Sequence, residues 1–370
     1  MPPEAIATPK FVHKRPLRVY WEVTRACDLA CRHCRATANP TPDLDELTTA
    51  DGMRLLEQLA SFGEPYPHVV LTGGDPLKRN DLFQLIEAAR SLGLHVSVAP
   101  SATPLLTSGA LLKLASAGID AISLSLDGST AKHHDAIRGI QGTYERTLDA
   151  ACVARAIHLP FQINTLVCAA TVDDLPSIYD QVSEIGAARW SLFFLVTVGR
   201  GQLLQPVSAE RAEEVLQWAA GLQRRPGTPG PVITTTEAPQ LRRVVMQRSG
   251  GSGAHHAAGI RDGNGILFIS HTGDICPSGF LEVPAGNIRI RSVVDVYRDA
   301  PLFVQLRDAD SFHGRCGRCE YRWVCGGSRA RAYCASGGDP LAEDPLCEYE
   351  KESPLVKTRR TSWARRSSSS

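Results

Sequence analysis

Between residues 17 and 221, short β-rich runs alternate with longer amphipathic segments, and this alternation restricts the fold more than any other feature of the chain. The strand candidates are residues 17–24, 68–73, 95–101, 121–127, 160–167 and 188–197, with helical patterns such as 51–62, 81–92 and 173–185 between them. Parallel strands need long crossovers, which helices supply, so the pattern predicts repeated βα units around a parallel sheet. At 370 residues the chain is long enough for one large barrel or two domains.

The fourth candidate strand places Ser123, Ser125 and Asp127 on one face and Leu124 and Leu126 on the other, because side chains alternate along a strand. Ser97 with Ser101, and Gln162 with Asn164, repeat the pattern in the third and fifth. A closed barrel fills its interior with branched apolar side chains. A polar lining predicts instead an α/β fold of the open kind, an incomplete (β/α)6 barrel of TIM type holding a ligand.

The alternation is expected to stop after Gly221, which makes 17–221 the barrel and 222–259 a connecting segment ending in the Gly/Ser-rich run SGGSGAHHAAG. A second region, 260–352, opens with a hairpin pattern at 266–270 and 274–277, continues with a helical stretch at 293–307 and ends in closely spaced cysteines. Residues 1–16 and the Arg/Ser tail 353–370 have compositions that predict disorder.

Forty basic against 39 acidic side chains leave a net charge of +1, which argues against a broad electrostatic nucleic-acid binder. No run approaches the roughly 18 apolar residues of a membrane span, and residues 1–26 carry charges where a signal peptide is apolar. A cytoplasmic protein without membrane association is therefore expected. In that compartment eleven cysteines, an odd number, point to metal or redox chemistry rather than to disulfides.

Cys27, Cys31 and Cys34 follow the first strand in TRACDLACRHC, where barrel folds place their chemistry. Three thiolates suit three corners of an iron–sulfur cube and leave the fourth iron open. A zinc knuckle completed by His33, or a group of buried thiols, is the alternative. The second strand ends in Thr72-Gly73-Gly74-Asp75-Pro76, where paired glycines allow close backbone approach to a ligand.

These residues resemble the radical S-adenosylmethionine (SAM) superfamily, which carries CxxxCxxC after the first strand and a GGEP-like segment after the second. The resemblance covers roughly residues 17–201 and implies a 4Fe–4S cluster on Cys27, Cys31 and Cys34. It implies that SAM chelates the open iron and is reductively cleaved to a 5′-deoxyadenosyl radical that abstracts hydrogen from a substrate. By the same resemblance Gly73, Gly74 and Asp75 meet the methionyl amine, Ser125 and Asp127 lie near the ribose, and Arg138 binds the carboxylate. Two positions depart from the family: His33 stands where an aromatic is common and could stack on adenine, and Asp75 replaces Glu.

At the other end Cys316, Cys319, Cys325 and Cys347 provide four thiolates, enough to close an iron–sulfur cluster or a zinc site. The stretch resembles the SPASM and twitch extensions of radical SAM enzymes, which implies an auxiliary 4Fe–4S cluster on those four. A second auxiliary cluster is not expected, since Arg329 occupies one of its cysteine positions and only Cys276 lies in the hairpin region. Cys276 and Cys334 are open to three roles, a distant or exchangeable ligand, a substrate contact or packing, with packing favoured for Cys276, while Cys152 and Cys168 read as packing residues.

Residues 315–348, with CGRCEY, CGGSRARAY and LAEDPLC, look most like radical SAM enzymes that trim tetrapyrrole side chains in haem biosynthesis. A porphyrin with propionates wants guanidinium groups, for which Arg289, Arg291, Arg329 and Arg331 are candidates, and His255, His256 or His271 could meet a bound iron. The competing substrate is a ribosomally made peptide, although the 16 residues before the first strand leave no room for a recognition domain there. A non-catalytic iron–sulfur or zinc protein is the reading from a different class. For an enzyme the expected partner is a reductant such as flavodoxin or ferredoxin.

Overall fold

The computed structural model describes residues 12, 14–222, 230–249 and 259–350. The tail 353–370, most of 1–16, and residues 250–258 with His255 and His256 lie outside the described residues. Within 1–16, Val12 is fully buried, and its carbonyl accepts the Tyr297 hydroxyl at 2.6 Å.

Ten strands form one sheet. In chain order they are β1 (Arg18–Thr24), β2 (His68–Gly73), β3 (His95–Val98), β4 (Ala121–Ser125), β5 (Phe161–Val167), β6 (Arg189–Phe194), β7 (Val232–Thr236), β8 (Ile266–Ile269), β9 (Asp274–Cys276) and β10 (Gly286–Asn287). Their spatial order is β10-β9-β8-β1-β2-β3-β4-β5-β6-β7. Every pair from β8 through β1 to β7 is parallel, and only β8–β9 and β9–β10 are antiparallel. The six expected strands and the 266–277 hairpin are all present, with ends trimmed by a few residues.

The βα alternation runs on past Gly221. β7 extends the parallel sheet beside β6, and helix Gln240–Arg248 follows it. Its sequence, VITTT between Pro231 and Pro239, lacks the apolar alternation that marks a half-buried strand because Thr234, Thr235 and Thr236 line the central cavity. β8, expected as part of a separate hairpin, also pairs in parallel with β1, setting Trp21 opposite Ile269. β7 and β8 are thus the flanking strands of an open parallel arc.

The outer layer is built as the periodicity predicts. Val19, Trp21 and Val23 of β1 are fully buried in the main core with Leu55, Leu56 and Leu59 of helix Thr49–Ala60. That helix begins in a capping box, in which Thr48 Oγ1 accepts the Asp51 amide at 3.1 Å and the Asp51 carboxylate accepts the Thr48 amide at 3.1 Å. The helical stretch 293–307 is two helices, Val293–Asp299 and Pro301–Arg307. Proline at 301 holds Ala300 in an extended conformation and so breaks the run.

Candidate active site

The inward faces of the strands enclose a cavity of about 620 Å³. Ser97, Ser123, Ser125, Gln162 and Asn164 line it, as their alternation predicts, while Leu124 and Leu126 are buried in the core behind them.

Cys27, Cys31 and Cys34 sit on a loop over the C-terminal end of β1, and all three line this cavity. The Cys27 amide donates to the Asn39 carbonyl at 2.7 Å, closing the loop at its base. Distant backbone pins it elsewhere: the Arg32 amide donates to Ile137 O at 2.9 Å, and the Arg200 amide to Cys34 O at 2.9 Å. The Arg200 side chain adds two bonds, Nε to Cys31 O at 2.9 Å and Nη1 to Ala38 O at 3.3 Å. Arg200 escapes a reading of the sequence because Cys31 lies 169 residues away. The adjoining Gly199-Arg200-Gly201, just beyond a strand end, was the available signal.

Gly73 and Gly74 bring the end of β2 against this same loop. A Cβ on Gly73 would stand 2.2 Å from Thr24 O, and one on Gly74 would stand 2.4 Å from Ala26 O. The close approach that requires glycine is therefore to the protein backbone leading into Cys27, and both glycines also line the cavity. Asp75 behaves differently from its expected role. Its fully buried carboxylate accepts from Leu77 N at 3.2 Å, Ser101 N at 3.3 Å and Thr103 Oγ1 at 2.6 Å, and it does not line the cavity. Asp75 fixes the loop after β3, and the face toward a ligand is left to backbone.

Asp127 and Arg138, expected as separate contacts, are joined in an ion pair of 2.6 Å. Asp127 also accepts the Leu166 amide at 2.7 Å, and its own amide donates to His134 Nδ1 at 3.0 Å. Although burial alone would raise it, the Asp127 pKa is held below the usual carboxylate range by Arg138 and the nearby His33 and His134. Arg138 Nη1 reaches Cys31 Sγ at 3.8 Å, and its Nε is buried without a partner. His33, half-buried on the cavity wall, is pushed down to about 4 by desolvation and by Arg138, so its imidazole is neutral at pH 7. His134 is neutral for the same reasons and was not singled out by sequence.

Burial pushes the Cys27 and Cys31 thiols above their ordinary pKa, so their thiolates call for an adjacent cation, which a metal centre supplies. Among the described residues no three His, Cys, Asp or Glu side chains converge on a single metal-ion position.

The C-terminal cysteines are also gathered, since Cys316 lies close enough to raise the pKa of Cys319, Cys325 and Cys347, and Cys347 close enough to raise that of Cys325. Cys316 Sγ accepts from Asp344 N at 3.5 Å, Cys319 Sγ from Tyr321 N at 3.4 Å and Cys325 Sγ from Gly327 N at 3.4 Å. Arg329, fully buried, donates to Cys316 Sγ at 3.4 Å and to the carbonyls of Pro340 and Ala342. None of these four cysteines lines the cavity, although Gly327 and Ser328 do. Cys276 is buried on β9 and Cys168 is buried beside Thr171, whereas Cys152 is exposed and so is no packing residue. Cys334 is half-buried in helix Arg329–Ser336.

The four arginines expected to meet substrate carboxylates do not reach the cavity. Arg329 and Arg331 are buried in hydrogen bonds to the protein, and Arg289 binds the carbonyls of Thr272 and Asp45. His271 is likewise committed, its Nδ1 standing 3.0 Å from the Glu22 carboxylate. The arginines that do line the cavity include Arg242 and Arg261, which sequence reading passed over.

The radical SAM superfamily profile matches residues 21–182. An AdoMet-dependent heme synthase of Oleidesulfovibrio alaskensis is 38% identical over 347 residues, spanning 90% of this chain and 87% of its own. Another, from Methanosarcina barkeri, is 36% identical over 344 residues, spanning 90% and 97%. Among solved structures, Streptococcus suis SuiB bound to its precursor peptide SuiA superposes with a TM-score of 0.71 at 18% identity, over 91% of this chain and 76% of that one. That last likeness is one of fold.

Proposed function

The chain belongs to the radical SAM superfamily, and from that premise we propose that it modifies a tetrapyrrole side chain in the making of a haem-type cofactor. The observation that carries this reading is the likeness to AdoMet-dependent heme synthases, at 36% and 38% identity across 90% of the chain. The likeness to a peptide-bound enzyme speaks for the fold and does not favour a peptide substrate.

The 4Fe–4S cluster of the family, when bound, supplies the electron that converts SAM to a 5′-deoxyadenosyl radical. Cys27, Cys31 and Cys34 are its ligands in this reading, on a loop that Arg200 and the Gly73–Gly74 backbone hold rigid. Arg138, oriented by Asp127 and close to Cys31, would supply positive charge to the SAM carboxylate, and neutral His33 is free to stack on adenine. Ser125 and Asn164 supply polar groups on the neighbouring wall. Cys316, Cys319, Cys325 and Cys347 would hold an auxiliary cluster, with backbone amides and Arg329 directed at the sulfurs. The electron would come from a flavodoxin or a ferredoxin. Among the described residues no helix is long and apolar enough to cross a membrane.

The reading is tested by anaerobic reconstitution followed by incubation with SAM, reductant and iron-coproporphyrin. We expect 5′-deoxyadenosine formation to rise with the porphyrin and a porphyrin of lower mass to appear. Unstimulated cleavage with an unchanged porphyrin would contradict it.

A further inference from the structure

Seven arginines line the cavity, and two of them are held by carboxylates. Arg35 pairs with Glu22 at 2.9 Å and Glu282 at 2.7 Å, Arg138 pairs with Asp127, and Arg200 holds carbonyls of the cysteine loop. Arg18 and Arg189, at the starts of β1 and β6, also lack a carboxylate at ion-pair distance among the described residues, and what sets Arg242 and Arg261 apart is their position. They line the wall next to the C-terminal cysteines, and neither has a carboxylate at ion-pair distance among the described residues.

Arg242, on helix Gln240–Arg248, donates Nη1 to the Val324 carbonyl at 3.3 Å. Arg261 donates to the carbonyls of Gly259 at 2.9 Å and Leu306 at 3.2 Å and lies over the Phe312 ring, 4.9 Å from its centroid. Its Nε is buried without a partner. Desolvation lowers the pKa of Arg242 to about 10. Desolvation, then Arg329 and Arg242, lower that of Arg261 to about 9, so both stay charged at neutral pH. Arg261 is buried and Arg242 half-buried, and neighbouring like charges on a cavity wall favour an anion.

The acidic groups nearby, Asp262 and Cys325, offset the lowering of Arg261 only in part. Asp262 accepts the amides of Arg329 and Ala330, each at 3.0 Å. Glu237, held in a left-handed conformation at φ 58°, accepts the Ser328 hydroxyl, and burial beside Asp262 raises its pKa well above the usual range.

We propose that Arg242 and Arg261 are a paired anchor for a substrate carboxylate, holding it on the cavity wall nearest the C-terminal cysteines. The inference rests on the tetrapyrrole reading, in which a propionate is the carboxylate that such a pair would take. A guanidinium fork matches a carboxylate in donor geometry, and a second cation beside it adds charge that favours the anion. The pair also determines specificity, since a neutral ligand would leave both cations uncompensated.

The test is a titration of the anaerobically reconstituted full chain with iron-coproporphyrin III and with its tetramethyl ester, followed by the Soret band. The unaltered chain should prefer the free acid. Arg242→Gln should weaken acid binding by about tenfold, the magnitude of one lost charge-assisted bond, with ester binding unchanged. The double variant R242Q/R261Q should lose more, and Arg242→Lys should recover part of the loss. Equal acid affinity in R242Q and the unaltered chain would overturn the anchor, as would a parallel loss of acid and ester binding. An altered cluster spectrum with intact acid affinity would assign the arginines to the cluster instead and overturn it too. Failure of the unaltered chain to bind either porphyrin would remove the tetrapyrrole reading, and the anchor with it.

Discussion

The two cysteine regions are built from the same residue type at similarly short spacings, yet they face different surroundings. Cys27, Cys31 and Cys34 all line the cavity, whereas Cys316, Cys319, Cys325 and Cys347 do not. The sulfurs of Cys316, Cys319 and Cys325 accept backbone amides, and Arg329 covers Cys316. At the first loop Arg138 reaches Cys31 from the cavity wall. On the proposed reading, ligand count and placement act together: three thiolates facing a cavity would leave an iron for chemistry, and four set away from it would leave none.

The largest expected effect breaks the comparison at its open end. Cys31→Ala should reduce 5′-deoxyadenosine formation to background while the C-terminal site keeps its iron, as read by product analysis and iron determination. Cys319→Ala should lower iron by about half, on a two-cube count, and stop porphyrin turnover, yet retain SAM cleavage uncoupled from substrate. Equal loss of SAM cleavage in both variants would mean that the two regions do not differ in role.

A third prediction concerns the tie between the regions. Glu22 at the end of β1 bonds Arg35 in the cysteine loop, and Arg35 bonds Glu282 beyond the hairpin. Although burial would raise it, Arg35, a hydrogen bond from His271 and then Arg25 bring the Glu22 pKa from 4.5 to about 2. A carboxyl with a depressed folded pKa stabilises above its unfolded value and loses that contribution as pH falls toward the folded one. The shift corresponds to about 3 kcal/mol. Glu22→Gln should therefore lose about that much in urea unfolding at pH 7, with the deficit narrowing as pH drops from about 4.5 toward 2.

The smallest effect sharpens the comparison at one loop. Arg200→Ala leaves the Cys31 and Ala38 carbonyls without their donor, at a cost of roughly 1–3 kcal/mol. A chelator should then strip iron faster from the first site and no faster from the second.

Much of this was legible in the sequence because it is local. Alternation placed β1 to β6, and the same alternation revealed the polar lining through Ser123, Ser125, Gln162 and Asn164. What escaped is tertiary or runs against pattern. β7 is rich in threonine because it faces the cavity, so it lacks an apolar signature. Asp75 occupies a family position, but its carboxylate is taken by Ser101 and Thr103 on the next loop. Arg329 and Arg331 stood out by lying among the cysteines, and the structure buries them. Arg242 and Arg261 lie in stretches without a motif, and only folding brings them to the cavity.

The central claim, one site open to SAM and one closed, is tested most directly by electron paramagnetic resonance of the reduced protein with and without SAM. The signal kept in Cys319→Ala should shift when SAM is added, and the signal kept in Cys31→Ala should not. A SAM-dependent shift of the signal that survives in Cys31→Ala, or no shift of the signal in Cys319→Ala, would contradict the account.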